Sequence, residues 1–197
     1  MTTVVIGIPV KPFGAAKRRL ADVLDAAGRA RLGRELAERT VKAVIEAGAA
    51  ALVLSADEQV TEWAQSIGVD VLLDEGSSLD QAAGAALIHI RAMGAAWAVL
   101  HADVPTLRSR DLSGAVLRLG VGGSVIAPSS DGGTSLVGSS LDEFRFAYGA
   151  GSFHRHLAAL AGTDPQVIVN RGLALDLDTP DDLRAASGRP EGRWLAG

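Results

Sequence analysis

The chain has 197 residues, 48% of them hydrophobic, so it is long enough to fold as one domain with a substantial core. Its formal net charge is −4 and it carries no basic block, which argues against nucleic acid as a partner. The lack of cysteine excludes disulfides and thiolate metal sites. The first residues resemble a strand rather than a signal peptide, and no apolar run reaches about 18 residues, so we expect a cytoplasmic protein without a membrane partner.

Apolar runs in this sequence predict buried strands, and apolar residues at helical spacing predict amphipathic helices between them. The predicted strands cover 4–10, 50–55, 69–73, 97–103, 124–128, 135–139, 166–170 and 173–178. The predicted helices lie at 32–48, around 63, at 77–93 and 112–119, and after 152 and 179. This alternation indicates an α/β fold with a mixed, mostly parallel sheet and helices on both faces.

The boundaries of the fold also follow from the pattern. An Asp-Gly-Gly turn at 131–133 predicts that part of the second half pairs antiparallel. No internal repeat or linker interrupts the alternation of elements. We therefore expect a single domain over 1–186, followed by a flexible tail over 187–197.

The segment LALDLD (173–178) places two carboxylates on one face of a predicted strand. Side chains two apart on a strand point the same way, roughly 7 Å apart, so Asp176 and Asp178 would lie side by side. At an effective dielectric constant of about 20, two unit charges at this distance repel by about 2–3 kcal/mol. Exposure to water, protonation of one acid or a bound cation would each relieve this repulsion.

A basic loop follows the first predicted strand and contains Lys11, Lys17, Arg18 and Arg19. Cations this close together in an acidic protein are typical of a polyphosphate site, although a solvated helix start would show the same pattern. The motifs G-x-x-x-x-G-K-[ST] and G-x-G-x-x-G do not occur, which excludes a P-loop and a dinucleotide-binding turn.

Other polar residues follow predicted strands, at the sheet edge where α/β proteins bind ligands. Asp103 closes the strand 97–103, and either a ligand role or a turn role fits it. Asp131 lies in the Asp-Gly-Gly sequence, which is more typical of a plain turn, while Thr134 adds a hydroxyl. Ser152 opens a helix after two glycines, either as an N-cap or as part of an anion site.

Asp103, Asp176 and Asp178 together could form a carboxylate cluster, and such hard oxygen ligands suit Mg²⁺. A bound cation would turn the repulsion between the last two acids into attraction. The histidines indicate no metal site, since His154 and His156 diverge on their predicted helix. A cationic loop, a divalent metal and an anion-binding helix start are what chemistry on a nucleoside triphosphate requires.

Five segments carry a resemblance to a known family: PVKPFGAAKRRL, HADVP, APSSDGGTSLV, FRFAYGAGSFHRH and LALDLDTPDDL. Over residues 3–186 the chain resembles the guanylyltransferases of coenzyme F-420 biosynthesis, which act on 2-phospho-L-lactate or phosphoenolpyruvate. The resemblance implies a Rossmann-like three-layer α/β sandwich of the nucleotide-diphospho-sugar transferase type. It also implies that the protein joins GMP from GTP to a small phosphorylated acid, with Mg²⁺, and releases diphosphate.

The resemblance assigns roles residue by residue. It gives the metal to Asp103, Asp176 and Asp178. It implies that Lys17, Arg19 and Asp103 are catalytic. It also implies that Lys11, Lys17 and Arg19 bind the triphosphate of the nucleotide. Thr134, Gly149 and Ser152 match positions that hold the phosphorylated acid.

Two positions depart from the family pattern. Arg18 stands where Ser or Thr is usual. Asp80 stands where Asn is common, at the helix start near the nucleoside. An acid at that position either receives N–H donors of guanine or caps the helix, so the resemblance leaves the base contact of Asp80 open.

Other functions remain open from the sequence. The chain could be another nucleotidyltransferase of the same fold, of the molybdenum-cofactor guanylyltransferase or cytidylyltransferase type. Those proteins usually carry a glycine-rich G-x-G-x-R loop after the first strand, which this chain lacks. It could also be a non-catalytic nucleotide-binding domain. Absence of the acidic pair would favour that alternative, and this chain has the pair, Asp176 and Asp178. The acid stays open among phosphoenolpyruvate, 2-phospho-L-lactate and 3-phosphoglycerate, and so does homodimer formation.

Overall fold

The computed structural model describes residues 1–73 and 78–196. In this part of the chain seven strands form one sheet, and α-helices pack around it. The strands are β1 (Val4–Pro9), β2 (Ala50–Leu54), β3 (Asp70–Leu72), β4 (Ala96–Leu100), β5 (Val125–Pro128), β6 (Thr134–Ser139) and β7 (Gln166–Val167). The helices are α1 (Ala26–Glu46), α2 (Glu58–Ser66), α3 (Leu79–Ala92), α4 (Ser109–Gly120), α5 (Ser152–Ala159), α6 (Arg171–Ala174) and α7 (Pro180–Ser187).

The sheet has the strand order β3-β2-β1-β4-β6-β5-β7. Strand β6 runs antiparallel to β4 and β5, whereas the other described pairs are parallel. The prediction of a mixed, mostly parallel sheet is therefore confirmed, as is the antiparallel pair around the Asp-Gly-Gly turn. No helix in the described ranges is long and apolar enough to cross a membrane.

The core lies on both faces of the sheet. Along β1, Ile6 and Ile8 point into one cluster, which packs under α1, α2 and α4. Val5 points the other way, into a second cluster that contains apolar residues of α3. This alternation gives the three layers, helix, sheet and helix, that the sequence predicts.

Strands β4 and β6 approach each other closely at Gly138. A Cβ atom at that position would lie 2.6 Å from Ala98 Cβ and 2.7 Å from Trp97 O, which is too close for any side chain. The pairing continues beyond β4, where the His101 N–H donates to Ser135 O at 3.0 Å. The loop that follows β4 therefore lies beside the start of β6.

The predicted strand over 173–178 is wrong. Its first residues belong to the short helix α6, because the side chain of Asn170 caps that helix and accepts the Leu173 N–H at 2.9 Å. The residues after α6 are extended but pair with no strand in the described part of the sheet. Strand β7 is also shorter than predicted, ending at Val167 rather than at residue 170.

The alternation of apolar and acidic residues after α6 is nevertheless present. Leu175 and Leu177 are buried, Asp176 is half-buried and Asp178 is exposed. The Leu177 N–H donates to Asp103 O at 2.9 Å, which fixes this segment against the loop after β4. Main-chain hydrogen bonding to a loop thus replaces the predicted sheet pairing. It still places Asp176 and Asp178 beside the loop that carries Asp103.

The C-terminal segment, expected to be a flexible tail, contains a 3-10 helix over Pro190–Ala196. The indole N–H of Trp194 donates to Pro105 O at 3.1 Å, and the Arg39 guanidinium lies 4.0 Å from the centre of its ring. These contacts connect the segment to the loop after β4 and to α1, which is more order than the sequence pattern predicts.

Candidate active site

A cavity of about 530 Å³ opens beyond the carboxyl ends of β1 and β4, the sheet edge where α/β proteins bind ligands. Its volume is in the range of small-molecule sites. Its walls come from the loop after β1, the loop after β4, the β5–β6 turn and the segment before α7. The polar residues of the wall are Lys11, Lys17, His101, Asp103, Asp131, Asp176 and Asp178.

Lys17 joins two of the predicted carboxylates. Its ammonium donates to Asp103 Oδ2 at 2.9 Å and to Asp178 Oδ1 at 3.2 Å, and its side chain is only 9% exposed. Burial alone would lower the pKa of Lys17, but the charges of the two carboxylates outweigh it and raise the pKa. Lys17 also has a left-handed backbone, with φ 53°, which is uncommon for a residue with a side chain. Such a conformation persists where its surroundings hold it, and it is typical of functional sites.

His101, Asp103 and Asp176 form a group that could hold a metal ion, because one ligand atom from each lies within 4.8 Å of the others. His101 Nε2, Asp103 Oδ1 and Asp176 Oδ1 are also buried, without a hydrogen-bond partner in the described structure. Buried polar atoms are nearly always paired, since leaving one unpaired costs about 1–3 kcal/mol. A divalent cation would satisfy all three atoms at once, so the residues present fit a divalent metal site.

The pKa shifts of these three residues are those expected of a site that favours a bound cation. Burial, followed by the charges of Asp103 and Asp131, raises the pKa of Asp176 to about 7. Burial alone would also raise the pKa of Asp103, but the Lys17 ammonium, His101 and the hydrogen bonds to the carboxylate together outweigh burial and lower that pKa. Burial lowers the pKa of His101, which leaves a neutral imidazole able to donate a lone pair to a metal.

The basic loop divides in the structure. Lys11 and Lys17 line the cavity. Arg18 and Arg19 are exposed in the 3-10 turn Arg18–Leu20 and are not part of the cavity wall formed by the described residues.

The residues predicted to hold the acid lie apart from this wall. Thr134 and Ser152 are each 1% exposed, and their hydroxyl oxygens are 3.1 Å apart. Gly149, three residues before Ser152, has a left-handed backbone with φ 101°, and its carbonyl accepts the Ser152 N–H at 3.0 Å. The carboxylate of Asp80 accepts the N–H of Tyr148 at 2.7 Å, so it anchors the loop before α5 to α3.

Two wall residues went unrecognised in the sequence analysis. His101 precedes Asp103 by two residues on extended chain, so the spacing that puts Asp176 beside Asp178 also puts His101 beside Asp103. Asp131 accepts from Ser129 Oγ at 2.5 Å and from the Gly133 N–H at 2.9 Å, which confirms the turn. It also lines the cavity, which the turn motif alone does not indicate.

Comparison with known proteins decides the family. A family model described as "Guanylyl transferase CofC like" matches residues 3–186. The chain belongs to this family. It is therefore a nucleotidyltransferase, and the carboxylates, Lys11 and Lys17 all lie within the matched range.

Relatives in the CofC-like family agree with the assignment. The chain is 35% identical over 183 residues to the phosphoenolpyruvate guanylyltransferase of Rubrobacter xylanophilus, with 89% of each chain covered. It is 30% identical over 179 residues to the 2-phospho-L-lactate guanylyltransferase of Methanothermobacter thermautotrophicus, covering 89% of this chain and 80% of the relative.

The fold of this family member has solved counterparts. A chain from Desulfovibrio desulfuricans G20, described as a nucleotide-diphospho-sugar transferase, superimposes with a TM-score of 0.77 at 19% identity. The match covers 100% of this chain and 95% of the other. The fold type that the resemblance implies is thereby confirmed.

Proposed function

We propose that this protein transfers GMP from GTP to phosphoenolpyruvate or 2-phospho-L-lactate in coenzyme F-420 biosynthesis. The products are enolpyruvyl-2-diphospho-5'-guanosine, or its lactyl analogue, and diphosphate. The observation that carries the proposal is the group of three unpaired ligand atoms on His101, Asp103 and Asp176. This group lies beside Lys17 in the cavity at the carboxyl edge of the sheet, where α/β proteins bind their ligands. The family membership and the two named relatives supply the substrate classes.

The chemistry needs positioning and charge neutralisation rather than a general base. A phosphate oxygen of the acid attacks the α-phosphorus of GTP in line. As the new P–O bond forms, the bond to diphosphate breaks, without a covalent enzyme intermediate. A phosphate dianion is already a nucleophile, so no side chain has to remove a proton. Lys11 and Lys17 hold the triphosphate, and Arg19 at the rim of the loop neutralises the departing diphosphate.

Asp103 and Asp176 hold the divalent cation in this proposal, and His101 Nε2 is the third available ligand. Mg²⁺ is the ion that two carboxylates and substrate phosphates favour, and when bound it would supply charge neutralisation for the phosphates. Asp178 is the third residue that the sequence assigns to the metal. In this structure its carboxylate accepts a hydrogen bond from Lys17, and we propose that it becomes a ligand when the metal binds. The proposal places the acid at Thr134, Gly149 and Ser152, outside the described cavity wall, where the start of α5 and the hydroxyls favour an anion.

The remaining expectations accompany this proposal. Residues 1–186 act as a single guanylyltransferase domain, and the protein works in the cytoplasm, where GTP is available. The partners are GTP and the phosphorylated acid. Neither nucleic acid nor a membrane enters the reaction.

Mass spectrometry of the reaction products tests the proposal. The protein is incubated with GTP, Mg²⁺ and an equal mixture of phosphoenolpyruvate, 2-phospho-L-lactate and 3-phosphoglycerate, and in parallel with CTP or ATP in place of GTP. We expect a diphosphate-linked guanosine adduct of one acid, with stoichiometric diphosphate. A cytidylyl or adenylyl adduct in preference to the guanylyl adduct, or no adduct from any pair, would refute the assignment.

A further inference from the structure

A buried chain of polar groups connects the start of β6 with α5. We call Thr134, Ser152 and His156 the hydroxyl network. His156 is fully buried, and its Nδ1 lies 3.0 Å from Thr134 Oγ1, which is 3.1 Å from Ser152 Oγ. On the other side of the ring, His156 Nε2 accepts the backbone N–H of Ala147 at 2.9 Å.

The contact with Ala147 fixes the tautomer of His156. A backbone N–H can only donate, so Nε2 carries a lone pair and no proton. Burial lowers the pKa of His156 to about 4, so the imidazole is neutral at physiological pH. A neutral imidazole has one ring proton, which must then be on Nδ1. His156 therefore donates to Thr134 Oγ1.

Counting protons shows what this tautomer does. The hydroxyl network holds three protons, on His156 Nδ1, Thr134 Oγ1 and Ser152 Oγ, and its two internal contacts use two of them. One hydroxyl proton remains, on Ser152 or on Thr134, whichever way their shared bond points. With the opposite tautomer, two hydroxyl protons would serve two contacts and none would remain.

The remaining proton has a clear use. Within residues 1–73 and 78–196, the two hydroxyls have no hydrogen-bond partner outside this network that could accept it, and a buried donor without an acceptor is costly. An ionised phosphate or carboxylate can only accept hydrogen bonds, so it needs such a donor. Ser152 begins α5, an eight-residue helix whose N-terminal end also favours an anion.

We infer that His156 is a positioning residue, which fixes the protons of Thr134 and Ser152 so that the pair presents an O–H donor to the phosphorylated acid. This inference rests on the proposed function, because it gives the hydroxyl network the acid substrate of that reaction. His156 acts through Thr134 and does not itself contact the substrate. The sequence indicates no role for His156, because its hydrogen-bond partners are a backbone N–H and a hydroxyl from other segments of the chain.

The first test reads the tautomer without turnover. Long-range ¹H–¹⁵N correlation spectra of the ¹⁵N-labelled full chain resolve the ring nitrogens, and the spectrum of His156→Gln assigns the His156 signals. We expect a protonated Nδ1 and an unprotonated Nε2 in the wild-type protein. A protonated Nε2 would overturn the inference, whatever reaction the protein catalyses.

The second test separates positioning from a merely structural role. In His156→Gln the amide oxygen can still accept the Ala147 N–H, but the donor to Thr134 is lost. We expect KM for the acid to rise about tenfold or more, with KM for GTP unchanged within about twofold. His156→Asn, whose amide N–H can take the place of Nδ1–H, should recover part of the loss. His154→Gln, at an exposed histidine of the same helix, is the matched control and should have no effect.

A double-mutant cycle with Ser152→Ala completes the test. If His156 acts through the hydroxyls, His156→Gln should have little further effect on KM in the Ser152→Ala background. Fully additive effects would overturn the inference. Failure of the proposed function would be visible separately, as a wild-type protein that forms no guanylyl adduct while its tautomer remains readable.

Discussion

Asp176→Asn is expected to lower kcat by about 10³-fold at saturating Mg²⁺, because it removes a charged metal ligand worth several kcal/mol in the transition state. The fold should not suffer. The pKa of Asp176 is raised from 3.8 to about 7, so without metal the folded state binds more protons than the unfolded state in this pH range. The free energy of unfolding therefore falls as pH rises through that window, and asparagine removes this dependence.

Two measurements check this prediction. Steady-state diphosphate release gives kcat, and thermal unfolding in EDTA at pH 8 should show Asp176→Asn at least as stable as the wild type. Asp181→Asn, at an exposed acid in the first turn of α7, is the matched control and should keep wild-type kcat. More than a tenth of the wild-type rate in Asp176→Asn would contradict the metal role.

Lys17→Met should have the second-largest effect, because it leaves Asp103 without its counter-charge and the triphosphate without its central cation. We expect kcat/KM for GTP to fall about 10²-fold. The free energy of unfolding should fall by about 2 kcal/mol, which is below the range for fully buried pairs because Asp103 is 29% exposed. For a chain of this length that is a drop in Tm of about 4–8 °C.

The stability effect of Lys17→Met should depend on pH with a definite sign. The lowered pKa of Asp103 contributes stability above its ordinary value of 3.8, and this contribution is lost as pH falls through the lowered pKa. The raised pKa of Lys17 contributes stability that is fully present below pH 10.5, and this stability is lost as pH rises through the raised pKa. The difference in Tm should therefore be full near neutral pH and shrink in strong acid.

Arg18→Met is the matched control for Lys17→Met, since Arg18 is the exposed neighbouring cation outside the cavity wall of the described structure. Its kcat/KM and Tm should stay near those of the wild type. Equal losses in both variants would show that the loop contributes only general positive charge, and would contradict the specific role of Lys17.

The sheet and its ligand-binding edge could be predicted from sequence because both depend on local patterns. Apolar runs mark the strands, and residues that directly follow β1 and β4 must lie at the same edge of a parallel sheet. The approach of Asp103 to Asp176 was predictable on this basis even though the strand assigned to 173–178 was wrong. Alternation of buried and exposed side chains requires extended chain, and hydrogen bonding to a loop provides it as well as a sheet does.

What could not be predicted depends on contacts between distant segments. Lys17 and Arg19 look equivalent in the sequence, and only the left-handed turn at Lys17 buries one ammonium between Asp103 and Asp178 while Arg19 stays exposed. The role of His156 depends on a backbone N–H nine residues earlier and on a hydroxyl at the start of strand β6. Neither partner leaves a signal in the sequence around the histidine.

The central claim is that Asp103 and Asp176 hold one divalent cation beside a lysine-lined nucleotide cavity. Anomalous scattering from a crystal of the protein grown with Mn²⁺ and GTP tests it most directly. The account predicts one strong manganese peak in contact with both carboxylates and on the cavity side of His101. A fully bound nucleotide with no manganese at these carboxylates, or a peak held by other residues, would contradict it.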